Sequence, residues 1–325
     1  MKNQVLSLVR RCAGSEFWAR IRVTLVGLAQ DFWKDTAQPS VQPRAKPVPV
    51  KQSSPANAPA ASSPQPARRA AASKKLWYAD RPQVLEKMWG DGEALPGGKE
   101  LVDLLLAPLG LNKEMNVLDL SAGLGGLARK MAEEFETYVT GLETDPALAR
   151  RGMTLSVNAG KSKQASIEHY DPATFTPGRH YDCIIARELF YRVIGKNKFF
   201  KTIASALKAR GHIVFTDYIL DPKAIKNEAV TSWMAIEPEA SPLSLGEMSQ
   251  SWTGLGFDMR VNEDLTPMYK RDVLKGLARF AAFLTHNIPE EETKPLVLKE
   301  IDLWERRVAA MEHGLKFCRF HAIRV

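Results

Sequence analysis

The chain of 325 residues is poor in cysteine, with only three. Cys12, Cys183 and Cys318 lie too far apart for a metal-ligand spacing or a disulfide framework. Reduced thiols of this kind are the usage expected of a cytoplasmic protein. Long hydrophobic runs are missing as well. The longest uncharged stretch of the first 37 residues, 23–30, falls far short of the roughly 20 apolar residues that cross a bilayer. Arg20 and Arg22 interrupt the apolar part there, and no small-residue cleavage site follows, so a secretory leader fits poorly. Acidic residues are scarce in one place only. Residues 1–75 hold 13 Lys and Arg against 3 Asp and Glu, while the rest of the chain holds 32 against 34. The formal net charge of +8 is therefore a property of the N-terminal extension. The near-neutral remainder carries no electrostatic footprint for nucleic acid.

Within that extension, residues 1–37 mix large apolar side chains such as Phe17, Trp18, Ile21, Phe32 and Trp33 with Arg10, Arg11, Arg20, Arg22 and Lys34. This pattern predicts a basic amphipathic helix that lies on an anionic membrane surface or docks on a protein partner. Residues 38–75, dominated by Pro, Ala, Ser and Gln, read as an extended linker that cannot bury enough surface to order itself. The folded domain is expected over 76–325.

From residue 99 onward the pattern alternates. Helices are expected at 99–109, 125–136, 146–158 and 197–209, with strands at 116–120, 138–142, 165–169, 181–186 and 211–217. That alternation predicts an α/β fold with a doubly wound, mostly parallel seven-stranded sheet. Later helices at 245–254, 271–286 and 294–312 supply helical lid insertions. The alternating stretch 317–325 is suited to pair antiparallel with a strand at 257–262.

The most informative stretch runs from Val117 to Ala128. A short apolar run ends in Asp119, passes through Ser121 into a turn with Gly123, Gly125 and Gly126, and continues as a helix. Strand, tight loop and helix N-terminus in that order bind nucleotides in α/β folds. Glycines there bring backbone close to a ligand. The spacing from Gly123 to Ala128 formally satisfies the G-x-G-x-x-G/A pattern of dinucleotide dehydrogenases. The acid before the loop instead matches S-adenosylmethionine-dependent methyltransferases. Glu143, at the end of the second strand of the alternating unit, suits either, since a carboxylate there accepts from both ribose hydroxyls. Asp171 follows the next strand, within reach of an adenine amino group. Arg187 and Glu188 end the strand at 181–186 on the ligand side of the sheet. The turn from Leu207 to Phe215 resembles the "LKPGG" turn of class I methyltransferases. Together these resemble the class I methyltransferase fold over about 115–262, with S-adenosyl-L-methionine as the implied cofactor.

Motif order gives a closer resemblance, to the phosphoethanolamine N-methyltransferases, over about 77–325. Trp89-Gly90-Asp91-Gly92 followed by Pro96-Gly97-Gly98 is similar to their "FGENYISSGG" segment, which covers the cofactor. Ala186-Arg187-Glu188 matches "SRD", Thr216-Asp217-Tyr218 matches "TDY", and Arg306 to Gly314 resembles the last helix and "RWGYF" end. The resemblance implies cofactor contacts from Asp119, Ser121, Gly123, Gly125, Glu143, Asp171, Arg187, Trp89, Gly97 and Gly98. It implies catalytic roles for Glu188, Tyr218 and Tyr78, the last standing in for a family tyrosine. The sequence departs from the family at the acceptor. Arg192 occupies the position of the catalytic histidine, and the segment from Trp233 to Glu239 replaces a Tyr/Arg/Tyr phosphate cluster. With Glu188, Glu237 and Glu239 expected near the pocket, a cationic or amine acceptor is favoured over an anionic one. The expected function is methyl transfer to a small-molecule or lipid-headgroup amine or hydroxyl. The alternative is a non-catalytic methyltransferase-like module tethered through its N-terminal helix. No metal site is read from the sequence.

Overall fold

The computed structural model describes residues 75–325. The amphipathic helix expected at 1–37 and the linker at 38–75 lie outside the described residues, except for Lys75, which opens the first strand, β1 (Lys75–Trp77). Helix α1 (Arg81–Trp89) starts at Asp80, whose carboxylate accepts from the Gln83 amide while the Gln83 side chain accepts from the Asp80 amide. This reciprocal cap, with Pro82 in the first turn, satisfies donors that an uncapped helix start leaves open. Helix α2 (Lys99–Leu106) follows, and then the alternating unit: β2 (Asn116–Asp119), α3 (Gly126–Glu134), β3 (Tyr138–Glu143), α4 (Pro146–Asn158), β4 (Ala165–His169), β5 (Tyr181–Arg187), α5 (Lys196–Ala206) and β6 (Leu207–Leu220). Next come α6 (Glu228–Ile236), α7 (Leu245–Thr253), β7 (Phe257–Asp264), α8 (Thr266–His286), β8 (Asn287–Pro289), α9 (Lys294–Glu312) and β9 (Leu315–Arg324).

The main sheet has seven strands in the order β4-β3-β2-β5-β6-β9-β7. The ladders from β4 to β6 are parallel, and β9 runs antiparallel to both of its neighbours. The doubly wound, mostly parallel seven-stranded sheet is therefore present, and the expected pairing of the last strand with 257–262 is among its ladders. That strand does more than the sequence pattern indicates. It enters between β6 and β7, so β6 is extended to Leu220, paired with Leu315 at its end. Helices α1 and α6 were not expected, since their short apolar patterns stand among Gly, Pro and charged residues.

Cores form on both faces of the sheet. One joins the inward faces of α1, α2, α3, α8 and α9 to the sheet; the other packs α5 and α7 against it through Phe190, Phe200, Phe215 and Trp252. The helices α1, α8 and α9 form the cover over the carboxyl ends of the parallel strands. Gly276 of α8 sits against the Trp89 indole so closely that a Cβ there would come within 2.4 Å of the ring. Trp89 in turn meets Trp304 of α9 edge-on, with ring centroids 4.8 Å apart. No described helix is long and apolar enough to cross a membrane.

Candidate functional site

A cavity of about 740 Å³, open at its mouth, lies beyond the carboxyl ends of β2, β3 and β5. This is the location at which open α/β sheets bind ligands. A smaller recess of about 250 Å³ adjoins it, sharing Ser121, Gly123 and Arg187 as walls and adding Asp119.

The loop after β2 builds the floor. Gly123 has φ +55°, a left-handed conformation that favours glycine, and a Cβ there would meet Ala94 at 3.0 Å. Its amide donates to the Glu143 carboxylate at 2.7 Å. The amide of Asp145 donates to the same carboxylate at 2.9 Å, so Glu143 pins the loop to the end of β3. Ser121 Oγ accepts from the Arg187 amide at 2.5 Å, tying the loop to β5. The Asp119 carboxylate, almost fully buried, accepts from the Ser121 amide at 3.0 Å. Burial pushes this carboxyl up to about 7, against the Ser121 amide and the Arg187 guanidinium, which favour its charged form.

Arg187 joins the cavity and the recess. Its guanidinium donates to the Pro96 carbonyl at 2.7 Å and stands 3.7 Å from Glu93. Its Nε is buried without a partner. A buried donor left open costs free energy, so an acceptor on a bound molecule is the natural complement. The glycine floor, the two strand-end carboxylates and this open donor fit the adenosyl and amino-acid parts of S-adenosylmethionine. Asp119, Ser121, Gly123, Glu143 and Arg187 thus line one connected site, as expected from the sequence.

Other expected residues are placed elsewhere. Gly125 has φ +77° and starts α3, but its missing Cβ would meet Arg129 at 2.7 Å and Ile167 at 3.0 Å. It permits helix–strand packing and does not face the ligand space. Asp171 is exposed and caps its own turn by accepting from the Ala173 amide, too far around the strand end to line the cavity. Gly98 is the exposed residue before α2, and Gly97, with φ +119°, lets the chain pass Leu101 and Arg187 without lining either space. Trp89 is buried behind Trp304, so it supports the wall without forming it. Tyr78 is 60% exposed and away from the cavity, because the preceding Trp77 takes the inward position against Phe280 and Phe283.

The two remaining catalytic assignments change in the same way. Glu188 and Tyr218 are fully buried and line neither space. Glu188 adopts φ +52°, an uncommon conformation for a residue with a side chain. Its carboxylate accepts from the Tyr218 hydroxyl at 3.1 Å and from the Tyr269 hydroxyl. Arg307 of α9 lies across this group, 3.5 Å from Glu188, and separates it from the cavity. Arg307 also donates twice to Glu237, at 2.9 and 2.7 Å, and once to the Tyr191 hydroxyl at 2.7 Å. Burial alone would raise the Glu237 carboxyl, but the Arg307 guanidinium holds it down at about 2. Glu188 and Glu237 are therefore consumed in a buried network, and Glu239 is exposed. The acidic acceptor pocket expected from these three residues is absent.

Basic residues line the cavity instead. Arg81, Arg187, Arg192 and Arg307 reach it, together with Glu143, Asp145 and Glu300. Arg81 is held by Glu300 and Asp145, each at 2.6 Å. On α9, Glu300, Leu303, Trp304 and Arg307 all face the cavity. Their spacing of i, i+3, i+4 and i+7 is one stripe of a helix, a signal present in the sequence. Only the fold shows that the stripe closes a site.

Comparison with known proteins agrees with this geometry. A family model described as a methyltransferase domain matches residues 95–277. The chain is 25% identical over 196 residues to phosphoethanolamine N-methyltransferase 1 of Zea mays, a match covering 60% of this chain and 38% of that protein. It is 24% identical over 192 residues to the phosphoethanolamine N-methyltransferase of Plasmodium falciparum, covering 58% of this chain and 71% of that one. The chain thus spans well under half the length of the plant relatives it matches. Among solved structures, Haemonchus contortus phosphoethanolamine N-methyltransferase 2 in complex with S-adenosyl-L-methionine aligns with a TM-score of 0.65 at 20% identity, over 75% of this chain and 56% of that one. A sarcosine dimethylglycine methyltransferase assigned in Galdieria sulphuraria aligns with a TM-score of 0.61 at 17% identity, over 76% of this chain and 98% of that one.

Proposed function

The chain belongs to the methyltransferase-domain family, and from that premise we propose that it transfers a methyl group from S-adenosyl-L-methionine to a small-molecule or lipid-headgroup acceptor, at an amine or hydroxyl. The observation that carries this reading is the single connected site formed by Asp119, Ser121, Gly123, Glu143 and Arg187 at the carboxyl ends of the parallel strands. When bound, the cofactor supplies an activated methyl group on a sulfonium, whose transfer is an in-line displacement with a neutral leaving group. Such a reaction asks the protein for positioning and for exclusion of water.

The chain's residues are suited to both tasks. Glu143 fixes the loop through two backbone amides, and the buried Asp119 places a carboxyl beside the recess. Arg187 Nε provides an unused donor. Leu85, Leu148, Leu189, Leu303 and Trp304 give the cavity an apolar lining that displaces water from the reacting atoms. Glu188 and Tyr218 support Arg307 from behind the cavity wall. The relatives named for phosphoethanolamine support an acceptor of headgroup type, while the altered acceptor residues leave its identity to experiment.

Calorimetric titration with S-adenosyl-L-methionine tests the reading first. The full chain is expected to bind with micromolar affinity or tighter, about −8 kcal/mol, and Glu143→Ala to weaken binding about tenfold or more through the loosened loop. Absence of binding by a folded chain would overturn the proposal. A labelled-methyl assay on metabolite and lipid extracts then identifies the acceptor.

A further inference from the structure

Three charged side chains of the cavity wall meet in one row of ion pairs. Arg81 donates from Nε to the Glu300 carboxylate and from a terminal nitrogen to the Asp145 carboxylate, each at 2.6 Å. All three residues line the cavity. The Glu300 side chain is only 3% exposed, whereas those of Arg81 and Asp145 are 36% and 31% exposed. The Arg81–Asp145 pair therefore lies where the cavity meets solvent.

The partners of that pair stand on opposite sides of the site. Arg81 belongs to the cover. The Asp80–Gln83 cap sets the first turn of α1, and the preceding Ala79 is bonded through both its amide and its carbonyl to the buried Thr293 hydroxyl at the start of α9. Glu300, on the cavity side of α9, holds Nε and so aims the rest of the guanidinium at Asp145. Asp145 belongs to the floor. It follows β3 and caps α4 by accepting from the Ala147 and Leu148 amides. Its own amide donates to Glu143, the strand-end carboxylate suited to a ribose. One ion pair thus ties cover to floor beside the ribose end of the site.

The two bonds of Arg81 differ in strength. A part-exposed pair contributes little and is screened by salt, while a carboxylate as buried as Glu300 is costly to leave without its cation. Of the two, the bond to Asp145 is the one that opens. We propose that the Arg81–Asp145 pair is a gate on the cofactor's path, opening for S-adenosyl-L-methionine to enter and for S-adenosylhomocysteine to leave, with Glu300 retaining Arg81 on the cover. This rests on the methyltransferase reading above. A second pair between α1 and α4, Glu86 with Arg151 at 2.9 Å, joins the same helices outside the cavity and supplies the control.

The experiment follows S-adenosylhomocysteine binding to the full chain by stopped-flow tryptophan fluorescence. Asp145→Asn removes the charge and keeps a side chain able to cap α4. Association and dissociation should both quicken about three- to fivefold, the scale of a part-exposed ion pair, with Kd staying within about twofold because a gate slows passage in both directions. The double variant Arg81→Met/Glu300→Gln, which leaves no buried charge unpaired, should behave alike, and Arg81→Lys should restore part of the delay. Arg151→Ala should leave both rates as they are. Raising salt from about 0.05 to 0.5 M should speed exchange in the unaltered protein but not in Asp145→Asn. Unchanged rates in Asp145→Asn overturn the gate. So does faster release without faster entry, which would make Asp145 a contact of the cofactor, or equal acceleration by Arg151→Ala, which would assign the effect to loosened packing of α1. Absence of binding by the folded chain would strike the methyltransferase reading itself, and the gate with it.

Discussion

Asp119 shows how one buried carboxyl sets the conditions under which the site works. Burial raises it to about 7, from an ordinary value of 3.8. Below that point it is largely protonated, and a cation near it loses its partner. Affinity for the positively charged S-adenosyl-L-methionine is therefore expected to rise as pH increases from about 6 to 8, as the carboxyl ionises. Asp119→Asn should flatten the profile, with the fall confined to the alkaline side. Titrations across that range check it, and a profile unchanged by the substitution would remove Asp119 from cofactor binding. Of the expected site residues, Asp119, Ser121, Gly123, Glu143 and Arg187 were legible because strand–loop–helix order fixes their direction. Asp171 and Tyr78 were not. Their spacing is right, but the turn after β4 and the packing of Trp77 point them to solvent.

Among the elements, α9 bears on the site most directly, and it was only half legible. Its length and amphipathic stripe follow from periodicity, and its bounds match those expected. That Arg307 would lie over Glu188 and Tyr218 depends on the approach of α9 to the sheet, which no local pattern encodes. The wall it forms is held through a stack running from Gly276 through Trp89 to Trp304. Gly276→Ala forces a methyl against a rigid indole and backbone, with little room to relax. A loss of about 1–3 kcal/mol is expected from the overpacking, read as a lower denaturant midpoint at unchanged slope. Ligand affinity should fall with it, since Trp89 can yield only toward Trp304. An unperturbed midpoint would show that the α1–α8 contact is looser than the stack implies.

For the molecule as a whole, the Arg307–Glu237 pair links α6, α9 and the turn after β5, so its titration reports on the assembly of the cover. The Glu237 carboxyl sits at about 2 in the folded protein, against 4.5 ordinarily. Its stabilisation is complete above about pH 4.5 and is lost as pH falls toward 2, a contribution on the order of 3 kcal/mol. Glu237→Gln should lower stability at neutral pH and make the acid limb shallower, as measured by unfolding free energy against pH. Parallel curves for the two proteins would assign acid sensitivity elsewhere.

The position of β9 has a consequence for how the protein is made. This strand follows β7 in the chain yet lies between β6 and β7. A ribosome delivers β7 before the neighbour that joins it to the sheet exists. Until residues 315–324 emerge, β7 has no ladder and β6 presents a bare edge nine residues long, from His212 to Leu220. The nascent chain therefore passes through a stage with an adhesive strand edge, the kind of surface that chaperones shield. Sheet closure then comes as a late insertion event, following synthesis of the strands on either side.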